Sequence, residues 1–515
     1  MFLPRYWKTA LVWTSLLGAA LLAASPAAAM DTFMASPRAM GMGGASVAAV
    51  DDTSAQYYNP GAFGFFGRQT ADGSRIEGDN NNLGRKDWGA DLTAAGGYRL
   101  LNDFGLYADT LADIDLDDLS SGIDTESDVA DLIDLVSSLE GIAASDTAVN
   151  ADLSSGLAFR AGHTAFGLRG FAKALGRVNE LDRENLGVET TGMDDFADQL
   201  RGADIPAFDE ISDYQFQVFS AAQRQQLADA LGVAVDDEAI QKLDYTAARQ
   251  GIESDTVDGA VSLLSTVASE SGLGEGSLED NTTSVLLRGF GVAEAALSYG
   301  YALSDRISVG GNLKFMRGRV YGNQVVVFDD DADDILAETD EKYEESNSFG
   351  VDLGVMARFS KFNFGIIGRN LNSPEFDGFE DQVVLSNGQA VDFSVDDVEL
   401  DPQVTAGVAY IPFTTLTLAA DLDLTENDVL FSSYNSRNFH LGAEWDIWRF
   451  LALRVGAYKN LAEDDIGWVY TAGLGLNLWA VRLDVSGAMA DDTEDFDGDE
   501  VPVEGRAAFE LSVDF

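Results

Sequence analysis

The residues of this chain with chemical potential are almost all carboxylates. There are 87 Asp and Glu against 32 Lys and Arg, two histidines and no cysteine. A chain without cysteine has no thiol nucleophile, disulfide or thiolate metal site. Two histidines are too few for a multi-histidine metal centre. A hydrolase would need a Ser–His–acid set, and neither histidine suits one. His163 falls in a short turn beside Gly162, and His440 lies on the polar side of an alternating segment with Glu444. No catalytic residues and no bound cofactor are expected, and the chain is read as a non-enzyme.

The acids are clustered. Residues 100–159 hold 14 acids and no Lys or Arg, and residues 329–345 hold ten acids and one Lys. Asp495-Phe496-Asp497-Gly498-Asp499-Glu500 sets oxygen side chains around a glycine turn, which suits a hard cation. Asp495, Asp497 and Asp499 are therefore candidate ligands, although the downstream glutamate of a calcium loop is missing. Diffuse Ca²⁺ or Mg²⁺ binding and a solvated charge run are the other readings. A formal charge of −55 would repel a phosphate backbone, so nucleic acid is excluded as a partner.

The elements that carry these residues follow from periodicity. Leu416, Leu418, Ala420, Leu422 and Leu424 share one side of an extended segment. Thr417, Ala419, Asp421 and Asp423 share the other. The same alternation runs through 307–315, 451–457 and 481–486. The segments reach about ten residues, the length a tilted strand needs to cross a bilayer. Tight turns near Ala161-Gly162-His163, Ser304-Asp305, Ser360-Lys361, Pro412-Phe413, Trp448-Arg449 and Trp479-Ala480 alternate with long links at 328–345, 372–399, 425–436, 460–466 and 491–503. Short turns on one side and long loops on the other mark a transmembrane β-barrel. Backbone groups in lipid must all be paired, which requires closure. Trp445, Trp448, Trp468, Trp479, Tyr410 and Tyr458 sit near strand ends, where interfacial aromatic belts form. Direct counting gives 15 strand-like segments from 87 to 515, or 16 with Phe63–Arg68. Bacterial barrels usually have even numbers, so 14–16 is the expectation.

Residues 1–29 have the basic start, apolar middle and small-residue end of a secretory signal, which points to the bacterial outer membrane. Helical periods appear in two inserts, 112–150 and 178–283, assigned to the extracellular side. Ser127 is read as the cap and Gly141 as the stop of the first helix, and Ser220 with Gln223 as a capping box for a second that ends at Gly232. Further helices are expected over 237–250 and 256–270. They either pack over the barrel mouth or form a separate inserted domain. Inward positions carry mixed charge: Lys314, Asp352, Arg358, Arg369, Asp421, Glu444, Arg454 and Asp484.

The most distinctive segment runs from Ser36-Pro37-Arg38-Ala39-Met40-Gly41-Met42-Gly43-Gly44-Ala45, through Asp51-Asp52, to Tyr57-Tyr58-Asn59-Pro60-Gly61. It lacks the glycine spacing of a nucleotide loop. It resembles the amino-terminal hatch of the long-chain fatty-acid transporter (FadL-like) outer-membrane superfamily, with Gly61-Ala62 where that family has Ala-Gly. The runs 291–309, 400–423 and 441–458 are most similar to the conjugal-transfer TraF-like outer-membrane branch. A thioredoxin-like conjugation protein shares that name, and a chain without cysteine cannot do its redox chemistry. The resemblance implies 14 strands and a hatch, residues 30–62, folded into the lumen of a barrel spanning 63–515. Gly41, Gly43, Gly44, Asn59 and Pro60 would then lie at a constriction or lateral opening. The terminal run Phe509 to Phe515 resembles the signal that hands such barrels to their assembly machinery, with Phe515 as its last residue. The function so implied is passive passage of hydrophobic small molecules, fatty-acid-like or hydrocarbon, with outer-membrane lipid as the surroundings. The alternative is a scaffold of a secretion, conjugation or adhesion system that docks partners through the helical inserts.

Overall fold

A computed structural model describes residues 28–29, 34–66, 87–114, 123–143, 147–180, 193–211, 213–250, 257, 261, 265, 283–326, 342–384, 390–429, 434–448, 450–463, 466–478, 481–496 and 499–514. Fourteen strands form one closed antiparallel barrel. They are β1 Trp88–Leu101, β2 Ala148–Ala161, β3 Thr164–Glu180, β4 Ser284–Ala302, β5 Ile307–Val326, β6 Tyr343–Phe359 and β7 Phe362–Arg369. The second half comprises β8 Gln403–Phe413, β9 Leu416–Asp423, β10 Asn438–Ile447, β11 Leu451–Asn460, β12 Val469–Leu478, β13 Val481–Ala490 and β14 Glu504–Asp514. Each strand pairs with the next, and β14 closes on β1 from Gly89↔Asp514 to Arg99↔Glu504.

Alternation sets which side meets lipid. Leu313 and Phe315 are 59% and 60% exposed, whereas Lys314 between them is 6% exposed. The apolar side faces out and the charged side faces in. This inverts a water-soluble protein and fits lipid as the outer solvent. Leu297, Tyr299, Phe349, Leu418, Trp445, Val455 and Leu474 extend the same belt. No helix among the described residues is long and apolar enough to cross a membrane.

The count of 14 replaces 15 or 16. The sixteenth strand needed Phe63–Arg68 to be extended, but Pro60–Phe65 is a buried 3-10 helix in the lumen, and the first barrel strand begins at Trp88. Tyr458 is also corrected. It is not interfacial but buried on the inner side, where its hydroxyl donates to Glu504. The signal segment lies outside the described residues except Ala28–Ala29, which run parallel to Asp428 and Val429. Phe515 lies outside them too.

The links between β1 and β2 and between β3 and β4 are helical. The first holds α3 Phe104–Asp113 and α4 Glu126–Ile142. The second holds α5 Met193–Gly202, α6 Pro206–Asp209, α7 Ala221–Leu231 and α8 Glu238–Gln250. Here α1 and α2 denote Pro37–Gly41 and Ala55–Tyr58 in the hatch. The cap of α4 is Thr125, not Ser127. The Thr125 hydroxyl accepts from Asp128 N, and the Asp128 carboxylate accepts from Thr125 N, a reciprocal box that Ser127 cannot form from inside the first turn. Gly141 does not stop the helix, which continues to Ile142. Ser220 and Gln223 do form their box, and Gly232 ends α7 in the left-handed region at φ 67°. Of 256–270, only Val257, Val261 and Ser265 are described, all helical.

The two inserts share one core. Val129, Leu132 and Ile133 of α4 pack with Leu200, Leu227, Leu231, Ile240 and Leu243 from the other insert. They form a single helical unit with its own apolar interior, rather than separate helices laid over the mouth.

Candidate functional site: a clamped hatch below an apolar lumen

The hatch fills the lumen from residue 34 to 66. Its backbone is shaped by capping. Asn59 accepts from Gly61 N at 3.0 Å and its amide donates to Val47 O at 2.9 Å and to Val355 O of β6 at 3.0 Å. Pro60 starts the 3-10 helix where no amide hydrogen is required. One asparagine thus joins two hatch segments to the wall. Gly43 (φ +64°) and Gly44 (φ +89°) turn the chain after α1 in the left-handed region.

The wall is cut back to admit this backbone. Gly300, Gly310 and Gly354 are paired across β4, β5 and β6, Gly365 with Gly407 across β7 and β8, and Gly442 with Gly456 across β10 and β11. A Cβ on Gly442 or Gly456 would collide with Met42 and Gly43. One on Gly310 or Gly354 would collide with Pro60 or Asn59, and one on Gly365 with Val47. This ring of glycines was not read from the sequence. Its signal was available as glycine recurring at inward positions of successive strands.

Charge then clamps what shape admits. Arg38 binds Glu444 through two nitrogens, at 2.9 and 2.7 Å, and Asp51 at 2.6 Å. Glu444 also accepts from Arg454 at 2.7 Å, and Arg454 reaches Asp484 at 2.6 Å. Arg482 meets the same Asp484 at 2.6 Å. The chain of alternating charge runs from hatch into wall without water between its members, where fork-like arginine pairing is strongest. On the opposite wall Lys314 lies 3.0 Å from Asp352 and donates to Asn370 at 2.6 Å. Asp421 accepts from the backbone amides of Ser46 and Val47 at 2.6 and 2.7 Å. Arg358 stacks over Phe65 at 4.6 Å and Arg369 over Tyr57 at 4.8 Å. All eight inward charges are therefore buried, each against the hatch or a neighbouring side chain. Arg38, Asp51 and Arg482 belong to the same network and were not singled out from sequence. Gly41 packs on Gly473 and Arg454.

Beside the hatch is a cavity of about 30 Å³ lined by Arg99, Arg369, Asp421, Asp423, His440 and Glu504 among others. It is wet in character and far smaller than the roughly 150 Å³ that accepts a benzene ring. His440 Nδ1 is 2.6 Å from Gly43 O, so His440 also holds the hatch.

Toward the long-link end the inner wall changes character. Phe171, Leu286, Phe290, Val292, Met316 and Val320 face inward and are buried against Phe376, Phe393 and Val395 from the 372–399 link. That link was read as an outer loop, but part of it folds into the lumen. Tyr57 of the hatch packs on the same cluster, 5.8 Å from the Phe171 ring. Asp495 and Asp499 stand on opposite arms of a hairpin, Thr493–Phe496 and Asp499–Pro502, and Asp497 lies outside the described residues. Among the described residues no three His, Asp or Glu side chains converge as metal ligands.

A closed 14-stranded barrel with a lipid-facing belt and a lumen filled by its own amino-terminal segment is an outer-membrane β-barrel of the plugged, FadL-like kind. The chain belongs to the family described as "F plasmid transfer operon, TraF, protein", whose model matches residues 100–423. No curated protein matches it. Among solved structures it is similar to the toluene transporter TbuX of Ralstonia pickettii (12% identity, 93% of this chain and 98% of that one, TM-score 0.46). It is also similar to the toluene transporter TodX of Pseudomonas putida (10%, 94% and 99%, TM-score 0.44) and to a Pseudomonas aeruginosa FadL homologue (10%, 95% and 100%, TM-score 0.42).

Proposed function

We propose that this protein is a hatch-gated passage for small apolar molecules across the bacterial outer membrane, exported by its amino-terminal signal, and not an enzyme. One observation carries the reading: the lumen wall above the hatch is apolar. A water-filled porin lines its interior with polar groups, whereas here Phe171, Phe290, Met316 and Val320 point inward. A solute leaving water for that surface would gain roughly 25 cal/mol per Å² buried. Passage then requires the hatch to move, since the only described lumen cavity beside it is water-sized. Deleting residues 30–60 behind an intact signal is expected to raise conductance in planar bilayers and to admit fluorescent apolar solutes faster than polar ones of equal size. Unchanged conductance, or equal gain for both solutes, would sink the proposal. In this reading the carboxyl-terminal strand is the handle for the assembly machinery, and the acidic links hold divalent cations diffusely.

The helical unit favours a second role. Transport does not need an apolar core built from two distant inserts. It would serve a docking platform for a conjugation or secretion partner, as the family description suggests. Removing both inserts together should abolish partner capture in whole cells and leave solute uptake intact. An isolated 178–283 fragment is unsuitable, because it would expose the surface that α4 covers.

A further inference from the structure

The ring of Phe376 sits fully buried against the inner wall, 5.1 Å from the Phe290 ring at 53°. Its floor is Gly318 of β5, where a Cβ would collide with the Phe376 ring atoms. Val292 lies across the ladder from Gly318, and Met316 and Val320 flank it on the same side. The recess is therefore apolar on every side and one ring wide. Its occupant comes from the link, not the wall. Phe376 is held by a two-residue ladder, Phe376↔Val398 and Glu375↔Glu399, closed by Leu400 N donating to Pro374 O at 2.8 Å. Withdrawing the ring breaks that short ladder and leaves the β4–β5 pairing whole, so the cost falls on a small local unit.

We propose that the recess at Gly318 is a guest site for a compact apolar group the size of a six-membered ring, and that Phe376 is its resident occupant. Because the site rests on the apolar-passage reading, its place in the lumen matters. It joins the same cluster as Tyr57 of the hatch, so a guest that displaces Phe376 arrives beside the element that must move. Gly318 and Phe376 together set the guest's size.

Fluorobenzene, followed by fluorine NMR on the purified full chain in detergent, tests this. Phe376→Ala is expected to bind it at least ten-fold more tightly than the parent chain, and Phe376→Leu by an intermediate factor. Adding Gly318→Val to Phe376→Ala should fill the floor and cancel the gain. Heat-modifiable mobility in gels checks that each barrel is closed, and Phe376→Leu carries the test if Phe376→Ala fails to close. Equal affinity in closed variants, or a gain that survives Gly318→Val, overturns the site. Fluorobenzene flux into liposomes separates the two readings. Flux that ignores these substitutions keeps the passage and removes the site, and binding without flux keeps the site and removes the passage.

Discussion

Arg38 is the residue on which the hatch turns. It is buried, and its partners Glu444 and Asp51 are buried with it. Removing one member of such a set strands the others without solvent, a loss of about 3–5 kcal/mol. Arg38→Ala is therefore expected to unseat the hatch and raise bilayer conductance while the barrel stays heat-modifiable. Arg38→Lys should restore part of the seal, since it keeps the charge but loses the fork. A silent Arg38→Ala would show that shape alone holds the hatch. Gly43→Ala tests shape. The new methyl would meet Leu441 O and Ala457 O, and the left-handed backbone adds about 1–2 kcal/mol of strain. Conductance should rise as for Arg38→Ala, with no dependence on salt. The pairing itself was beyond the sequence. Arg38 and Glu444 are 406 positions apart, and alternation says which side Glu444 faces but not what it meets. Tyr458 was within reach, because it shares the inward parity of Arg454. Its place near a strand end concealed that.

The helical unit is the element whose stability can be tuned separately. Asp244 is buried and accepts from the amides of Gln217, Val218 and Phe219 and from the Tyr214 hydroxyl. Asp244→Ala leaves those donors unpaired and should lower the helical melting transition, seen by circular dichroism at 222 nm, without altering barrel closure. Acidity acts on two other carboxyls in opposite directions. Burial beside Asp131 pushes Asp134 up to about 6, so the folded unit holds that proton more tightly than the unfolded chain does. The stability it contributes is complete below the ordinary carboxylate value of about 4 and is lost as pH rises through 6. Asp237 is held below its ordinary value by Arg201. Its contribution is present above about 4 and is lost as pH falls further. The helical transition should therefore peak near pH 4–5, and Asp134→Asn should remove the decline toward pH 7. A transition that climbs steadily to neutrality would contradict this assignment. The sequence revealed most of these helices through period and capping. Their union was not legible, because no local signal says that residues 123–143 and 193–265 meet. It follows from topology: the four strands that root them are neighbours, so both inserts leave the barrel at one sector of its rim.

Across the whole molecule, the barrel was legible because lipid imposes a strict alternation, and each strand repeats it. The count was not, because a short glycine-rich run such as Phe63–Arg68 alternates by accident. The hatch was visible only as a motif. Its glycine-paired seat depends on registers between strands, which local sequence does not carry. Closure rests on one seam. Truncating residues 504–515 removes β14, the partner of both β1 and β13, and should abolish heat-modifiable mobility. A closed barrel after that truncation would mean that β1 can pair with β13 directly.

The seating of the hatch has a temporal consequence. Its first helix packs on β11 to β14, and its 3-10 helix packs on β4 to β6. The segment is made before any strand, yet half its contacts are with the last strands to appear. It is held on opposite walls and cannot be threaded into a finished cylinder without breaking both sets of contacts. The barrel must instead be wound around it. The amino-terminal segment is thus a mandrel during biogenesis before it is a gate, and damage to it would be paid in yield as well as in leakage.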